Sequence, residues 1–287
     1  MNFSHPILYF YLGASLFYVV DVFQKITSTQ INTFRYLMRR SVYTALVSLI
    51  GTILLLGISS VPTGTIVLQI VGCSILTFGG LFFYIKAINH LQFSNANSIY
   101  VVGNVVQQLF GIIFLKEIFH SWMLISWLLM AFGCVYQISF TKWNKGAAYV
   151  LLSTLFWTAG YDLLSMILKS GYEMWSVAIM ECTILIISSL VFFLGLKKRK
   201  QEEPIPTSRS SHLYLMIIAG AVFSASYFNH LSFRYNPLSM ISLMQLSLMP
   251  ISFIINMRIF KEKPSGIEWI SLIAGMIGFF IFIIMSK

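Results

Sequence analysis

Residues 173–196 read EMWSVAIMECTILIISSLVFFLGL and are followed at once by Lys197-Lys198-Arg199-Lys200. An apolar run of about 20 residues is what a helix needs to cross the hydrocarbon core of a bilayer. A cluster of cations directly after such a run is typical of a cytoplasmic anchor. This stretch therefore predicts a transmembrane helix, and the rest of the chain repeats its pattern.

Nine more apolar runs of similar length fill the chain. Hydrophobic residues make up 57% of the sequence and charged residues only 10%, whereas about a quarter of a soluble chain is charged. This composition excludes a water-soluble domain. We predict an all-α integral membrane protein with ten transmembrane helices, at about 7–23, 38–58, 64–88, 95–115, 120–140, 146–168, 173–196, 212–232, 237–259 and 266–286.

The net charge of +10 would point to nucleic acid in a soluble protein. Here the cations lie at the ends of apolar runs, so the expected partner is membrane lipid, with no nucleic acid. Fifteen of the 19 Lys and Arg residues lie nearest to the connections after helices 1, 3, 5, 7 and 9. The positive-inside rule then places both termini outside the cell.

The two halves of the chain are similar at a shift of 145 residues. This shift brings Lys116-Glu117 onto Lys261-Glu262 and Ser94 onto Ser239. The repeats would be residues 1–141 and 142–287, with five helices each. Because five is odd, the second copy enters the membrane from the opposite side, which predicts inverted repeats with a site at their interface.

Three motifs follow one another along the chain, and the third repeats the second. They are AINHLQFSNA at 87–96, FLKE at 114–117 followed by Gly133, and FKE at 260–262 followed by Gly275 and Gly278. In this order the chain resembles the ten-helix EamA group of the drug/metabolite transporter superfamily. The resemblance implies secondary transport of a small metabolite through a central cavity, often as export.

The chain also departs from that family pattern. Lys116 and Lys261 stand where family members usually have Gly, and Pro250 aligns with Val105 in the first half. Family members usually have cytoplasmic termini, opposite to the orientation that the charge count gives. Both orientations stay open at this point.

Polar side chains form a stripe on predicted helix 4. Asn97, Tyr100, Asn104 and Gln107 fall on one face at about 100° per residue, and the shift of 145 extends a weaker stripe to helix 9. Asn and Gln can join neighbouring helices by hydrogen bonds, but this many on one face favours the lining of a hydrated cavity. The substrate-binding candidates are Tyr18, Asn97, Tyr100, Asn104, Gln107, Trp157, Tyr161 and Gln245.

Three carboxylates lie within the predicted spans: Asp21, Asp162 and Glu181. Acids inside a membrane are costly and often mark ion or proton paths, so these three are the coupling candidates. Asp21 could instead meet water near a helix end, and Glu181 could pair with a neighbouring helix. Tyr18, Trp157 and Tyr161 could stack on an aromatic or cationic solute, although most aromatic residues of a membrane protein are structural.

Enzyme motifs are missing from the sequence. It has no phosphate-binding GxxxxGK[ST] loop, no HExxH, no GxSxG and no His/Cys cluster with the spacing of metal ligands. We therefore expect no enzyme activity, cofactor or metal. The sequence predicts a secondary active transporter of a small metabolite or drug-like solute in the cell membrane, with export favoured and proton coupling as a hypothesis. The alternative is a non-transporting scaffold or a membrane-embedded lipid-modifying enzyme, and the chain could be a monomer or a homodimer.

Overall fold

The computed structural model describes residues 5–28, 32–88, 90, 99–117, 121–140, 144–196, 209–248, 257–258, 261 and 266–285. Within these ranges it contains ten α-helices of ten or more residues, one short 3-10 turn at Ile58–Ser60 and no strand. The first five helices are α1 His5–Ser28, α2 Thr33–Leu56, α3 Gly64–Ile88, α4 Val101–Ile113 and α5 Ser121–Phe140. The second five are α6 Lys145–Leu168, α7 Glu173–Leu196, α8 Arg209–Tyr235, α9 Leu238–Ser247 and α10 Gly266–Met285.

The all-α prediction is confirmed for the described residues. Six helices, α1, α2, α3, α6, α7 and α8, are long and apolar enough to cross a membrane. The described parts of α4 and α9 are shorter, and the predicted runs 95–115 and 237–259 extend beyond the described residues. A total of ten spans therefore stays a prediction.

Large apolar side chains cover the outside of the helix bundle. Leu54 is 79% exposed, Leu68 is 73% exposed and Phe114 is 69% exposed. Extensive apolar surface is a liability in water and is typical of proteins that contact a membrane. The buried polar residues lie on the inward faces of the same helices, as expected for a multi-pass membrane protein.

The helix boundaries differ from the prediction in one consequential place. α2 begins at Thr33, five residues before the predicted start at 38, because the side chain of Asn32 caps it by accepting a hydrogen bond from the Phe34 amide at 3.0 Å. Residues with short polar side chains favour this position. As a result, Arg40 lies two turns inside the helix and not at a membrane surface.

The helices of the first half pack mainly against helices of the second half. The main pairings are α1 with α8, α3 with α6, α2 with α7, α4 with α9 and α5 with α10, and α2–α8 and α3–α7 add to them. When each helix is replaced by the one five places away in the order, the same seven pairings result. For example, α1 with α8 becomes α6 with α3. These seven pairings are therefore two-fold symmetric, whereas the α4–α6 pairing has no α1–α9 counterpart of similar strength among the described residues.

Hydrogen bonds from Ser to backbone carbonyls reinforce three of these pairings. Ser153 in α6 donates to the Gly80 carbonyl in α3 at 2.8 Å. Ser242 in α9 donates to the Asn104 carbonyl in α4 at 2.9 Å, and Ser126 in α5 donates to the Gly278 carbonyl in α10 at 2.6 Å. Small polar residues of this kind let helices approach closely and join them inside a bilayer.

In each half, the Lys of the Lys-Glu pair has a left-handed backbone conformation. Lys116 and Lys261 both have φ of 54°, and no other non-glycine residue of the described chain has a positive φ. Gly adopts this region without steric cost. The conformation therefore explains why Gly would suit these two positions, and matching positions of the two halves share the same φ.

Glu117 ties this turn to the second half of the chain. Its Oε1 accepts a hydrogen bond from the Leu238 amide at 2.7 Å, and its Oε2 accepts one from the Ser239 amide at 2.8 Å. Both amides belong to the first turn of α9, where free N–H groups and the helix dipole favour a carboxylate. Gly111 leaves room for the Glu117 carboxylate, because a Cβ there would lie 2.8 Å from Oε2.

We predict that Glu117→Ala lowers the free energy of unfolding by about 1.5–3 kcal/mol, the usual value for hydrogen bonds to a charged group. Glu117→Gln keeps one acceptor and should recover part of this loss. Thermal unfolding of the detergent-purified protein measures the effect. An unchanged midpoint for Glu117→Ala would show that this carboxylate does not stabilise the packing of the two halves.

Candidate functional site

A cavity of about 330 Å³ lies between the two halves of the bundle. It is lined by α1, α2, α3 and α4 from the first half and by α6, α7, α8 and α9 from the second, with Tyr100 just before α4 and Leu248 just after α9. Nine of the eleven candidate residues line it: Tyr18, Asp21, Tyr100, Asn104, Gln107, Trp157, Tyr161, Glu181 and Gln245. The remaining two are Asp162, which is not among the lining residues, and Asn97, which lies outside the described residues.

Glycines in α3 and α4 set the position of the cavity wall. A Cβ at Gly80 would collide with the ring of Trp157, and a Cβ at Gly103 would collide with the side chain of Thr154. Both glycines therefore let α6 approach α3 and α4 more closely than larger residues would. This close packing holds Trp157 at the cavity.

Three aromatic side chains form one wall of the cavity. The ring centroids of Tyr84 and Trp157 are 5.2 Å apart, and Tyr100 stacks on Trp157 at 6.0 Å with 26° between the ring planes. The rings thus pack on one another as well as facing the cavity. The structural and the solute-binding interpretations of Trp157 are compatible.

The charged end of the cavity consists of Asp21, Arg40 and Glu181. Arg40 Nη1 lies 3.7 Å from Glu181 Oε2, which also accepts a 2.6 Å hydrogen bond from the Thr44 hydroxyl. Glu181 therefore does pair with the neighbouring helix α2, and it lines the cavity as well. Asp21 lies seven residues before the end of α1 and lines the cavity.

Arg40 is the residue that sequence reasoning missed. Its position among Arg35 and Arg39 made it look like one of the cations of a cytoplasmic connection. The available signal was Asn32, a typical N-cap residue, which would have started α2 early enough to place Arg40 inside the span. No other Lys or Arg among the described residues lines the cavity, so Arg40 supplies the fixed positive charge of its lining.

Asp162 lies one hydrogen bond away from the cavity. Its Oδ1 accepts from Gln107 Nε2 at 3.1 Å, and Gln107 is one of the lining residues. Asp162 is only 2% exposed. The acid on which the sequence focused is therefore buried behind the cavity wall, whereas Asp21 and Glu181 reach the cavity itself.

The polar stripe on α4 divides into two parts. Asn104 and Gln107 line the cavity, whereas Gln108 is buried without lining it. In α9, Gln245 lines the cavity and Ser242 bonds to α4. The stripe thus combines the cavity lining with the interhelical hydrogen bonds that were its alternative interpretation.

Comparison with protein families identifies the chain. The EamA-like transporter family matches residues 5–138 and 144–284, which together cover nearly the whole sequence. The chain belongs to the EamA-like transporter family. Membership of this family supports the interpretation of the chain as a membrane transporter of the drug/metabolite superfamily. Members of the family are generally transporters and not enzymes. The two matched segments flank the predicted repeat boundary at 141/142, which stays a prediction.

Comparison with solved structures supports the same fold. Matches include 28 chains, among them a crystal structure described only as a protein, with a TM-score of 0.69 and 15% sequence identity. That match covers 94% of this chain and 97% of the other. At this identity it shows the fold alone. Comparison with curated protein sequences gave no significant match.

We predict that Gly80→Ala destabilises the protein by about 1–3 kcal/mol, the usual cost of overpacking, because the added methyl group must displace Trp157. Gly72→Ala is the matched control in the same helix, where a Cβ meets nothing within 4 Å. Replacing an unconstrained helical Gly by Ala is stabilising, so the two variants should move the unfolding midpoint in opposite directions. Equal midpoints would contradict the close packing of α3 on α6.

Proposed function

We propose that the chain is a secondary active transporter that moves a small metabolite or drug-like solute across the cell membrane through the central cavity. The observation that carries this proposal is one cavity lined by polar and aromatic side chains from both halves of a transporter-family protein. A scaffold has no need of a solute-sized cavity between its halves, so the transporter is favoured. The proposed partners are a small-molecule solute and membrane lipid.

We further propose that the halves are inverted repeats that rock around the cavity. The exchange of helix pairings between the halves and the shared left-handed turn at Lys116 and Lys261 support an internal two-fold relation. Repeats with five helices each would have opposite directions in the membrane. Rocking of such repeats around a fixed site is a common mechanism of alternating access.

Several polar contacts join helix ends and connections at the side of the bundle at which α1 begins. Glu117 binds the first turn of α9, and Asn236 donates to the Pro6 carbonyl at 3.1 Å. Lys169 donates to the Arg234 carbonyl at 2.9 Å, and the Arg234 guanidinium pairs with Glu173. In the proposed mechanism the contacts between the halves, those of Glu117 and Asn236, break when this side opens.

Export and proton coupling complete the proposal. Asp21 and Glu181 reach the cavity, and Asp162 is connected to it through Gln107, so three acids stand where a bound proton could affect solute binding. Ionisable groups inside a membrane span are proton-path candidates by default. The positive-inside count would place the side at which α1 begins outside the cell, so in the proposed mechanism the contacts there hold the outer side shut while solute loads from the cytoplasm.

Flux in liposomes tests transport directly. The purified chain would be reconstituted with a pH-sensitive dye inside, and amino acids, nucleosides, polyamines and aromatic cations would be added under an imposed pH gradient. We expect at least one solute class to produce saturable proton movement that Trp157→Ala or Asn104→Ala reduces about tenfold or more, corresponding to about 1.4 kcal/mol of lost binding.

Asp162→Asn separates the proposed coupling from transport itself. If Asp162 carries the coupling proton, this variant loses flux driven by a pH gradient and keeps normal expression. Glu203→Gln, the same type of change in the charged stretch after predicted helix 7, serves as the control and should leave flux unchanged.

Flux equal to that of empty liposomes for all solutes, despite solute binding, would contradict transport.

A further inference from the structure

The charged residues that line the cavity do not balance. Asp21 and Glu181 carry two negative charges when ionised, Arg40 carries one positive charge, and no other Asp, Glu, Lys or Arg of the described chain lines the cavity. The fixed charges therefore sum to one negative charge. A net charge away from water is costly unless it is compensated, so one positive charge is missing from this site.

The two carboxylates are held in place by neutral donors. The Thr44 hydroxyl donates a hydrogen bond to Glu181 at 2.6 Å, and the side chains of Tyr84 and Gln24 lie close to Asp21. The side chains of Arg40 and Glu181 are only 6% and 3% exposed. Water therefore screens this cluster poorly, and a cation entering the cavity meets a preformed, negatively charged site.

The same end of the cavity offers an aromatic surface. Tyr84 connects the two features, because its side chain lies close to Asp21 and its ring packs 5.2 Å from Trp157. An organic cation beside Asp21 would thus have the faces of Tyr84, Trp157 and Tyr100 within reach. Cation–π attraction to such rings is worth about 2 kcal/mol or more when the site is desolvated.

We propose that this cavity binds monovalent organic cations with an aromatic or apolar body, each in exchange for one proton held by the Asp21–Glu181 pair. This inference rests on the proposed transport function and assigns its solute class. The exchange balances: one proton leaves a carboxyl group to water, one cation takes its place, and the charge of the site is unchanged. Proton and solute then compete for the same negative charge, which couples their movements.

Helices α2, α3, α6 and α7 and the residue before α4 supply the titratable and charged groups around Asp21. These groups are Tyr36 and Arg40 on α2, Tyr84 on α3, Tyr100 before α4, Tyr161 on α6 and Glu181 on α7. The described lining residues of α8 and α9 include none. Of these, only Arg40 is positively charged. A second cation is therefore not already supplied by the lining of the cavity.

An anionic solute is the main competing interpretation, because no described residue accepts a hydrogen bond from Nε or Nη1 of Arg40. Two carboxylates already lie near this guanidinium, however, and an added anion would meet their combined charge. Like charges placed together in a desolvated site are strongly unfavourable. The charge sum therefore favours a cation over an anion.

The test compares three benzyl compounds that differ in the charge of the head group: benzyltrimethylammonium, neutral N-benzylacetamide and anionic phenylacetate. Binding to the detergent-purified full chain would be measured by calorimetry over a range of pH. Because benzyltrimethylammonium has no proton to lose, any proton released comes from the protein. We expect the cation to bind most tightly, with an affinity that rises up to about tenfold per pH unit while the site holds its proton, whereas N-benzylacetamide shows no such rise.

Isosteric variants assign the charge to the two acids. Asp21→Asn and Glu181→Gln should each lower the affinity for benzyltrimethylammonium at least tenfold and abolish its pH dependence, while weak binding of N-benzylacetamide persists and shows that the cavity is intact. Glu203→Gln should change neither. A cation that binds no better than the amide, that binds independently of pH, or that binds less tightly than phenylacetate would overturn the inference.

Flux measurements keep this inference separate from the proposed function. Tight, pH-dependent binding of benzyltrimethylammonium without flux into liposomes would leave the cation site standing and contradict transport. Saturable flux of neutral or anionic solutes, together with the failure of cation binding, would contradict the cation site and leave transport standing.

Discussion

Hydrocarbon offers no hydrogen-bonding partners, and this constraint organises the whole structure. Backbone groups are satisfied within helices, and polar side chains must find partners between them. Outward-facing side chains such as Leu54 and Leu68 are apolar and exposed. Among the polar groups that remain, Asp21, Arg40 and Glu181 line the central cavity. Charged side chains of the interior therefore meet where a solute would pass.

The same constraint explains how the halves hold together. In lipid there is little hydrophobic force between helices, so close packing and interhelical hydrogen bonds provide the attraction. Ser153 on the Gly80 carbonyl and Ser242 on the Asn104 carbonyl are such bonds, and both join one half to the other. Glu117 adds a charged link at one side of the membrane. The halves are thus joined by extensive helix packing together with polar contacts that can break and re-form.

The sequence predicted the helices and nine of the residues that line the cavity, because apolar runs and polar stripes on one face follow directly from the bilayer. It placed Asp162 in the foreground, since depth along a helix can be read from sequence but the direction of a side chain cannot. It missed Arg40, because a cation next to Arg35 and Arg39 looks like part of a cytoplasmic connection. Only the Asn32 cap, which fixes the start of α2, places Arg40 inside the helix. The association of Asp21 with Arg40 depends on the packing of α1, α2 and α7, which no local pattern encodes.

The central claim is that the two halves move relative to each other around the cavity. Spin labels at Phe114 and Tyr235, three residues before Glu117 and Leu238, would report the distance between the halves at the side where α1 begins. The measurement would be made in liposomes, with the native cysteines replaced by Ser. The account predicts that a population with a longer label distance appears when pH or bound solute is changed. A single distance distribution that stays the same under all these conditions would contradict it.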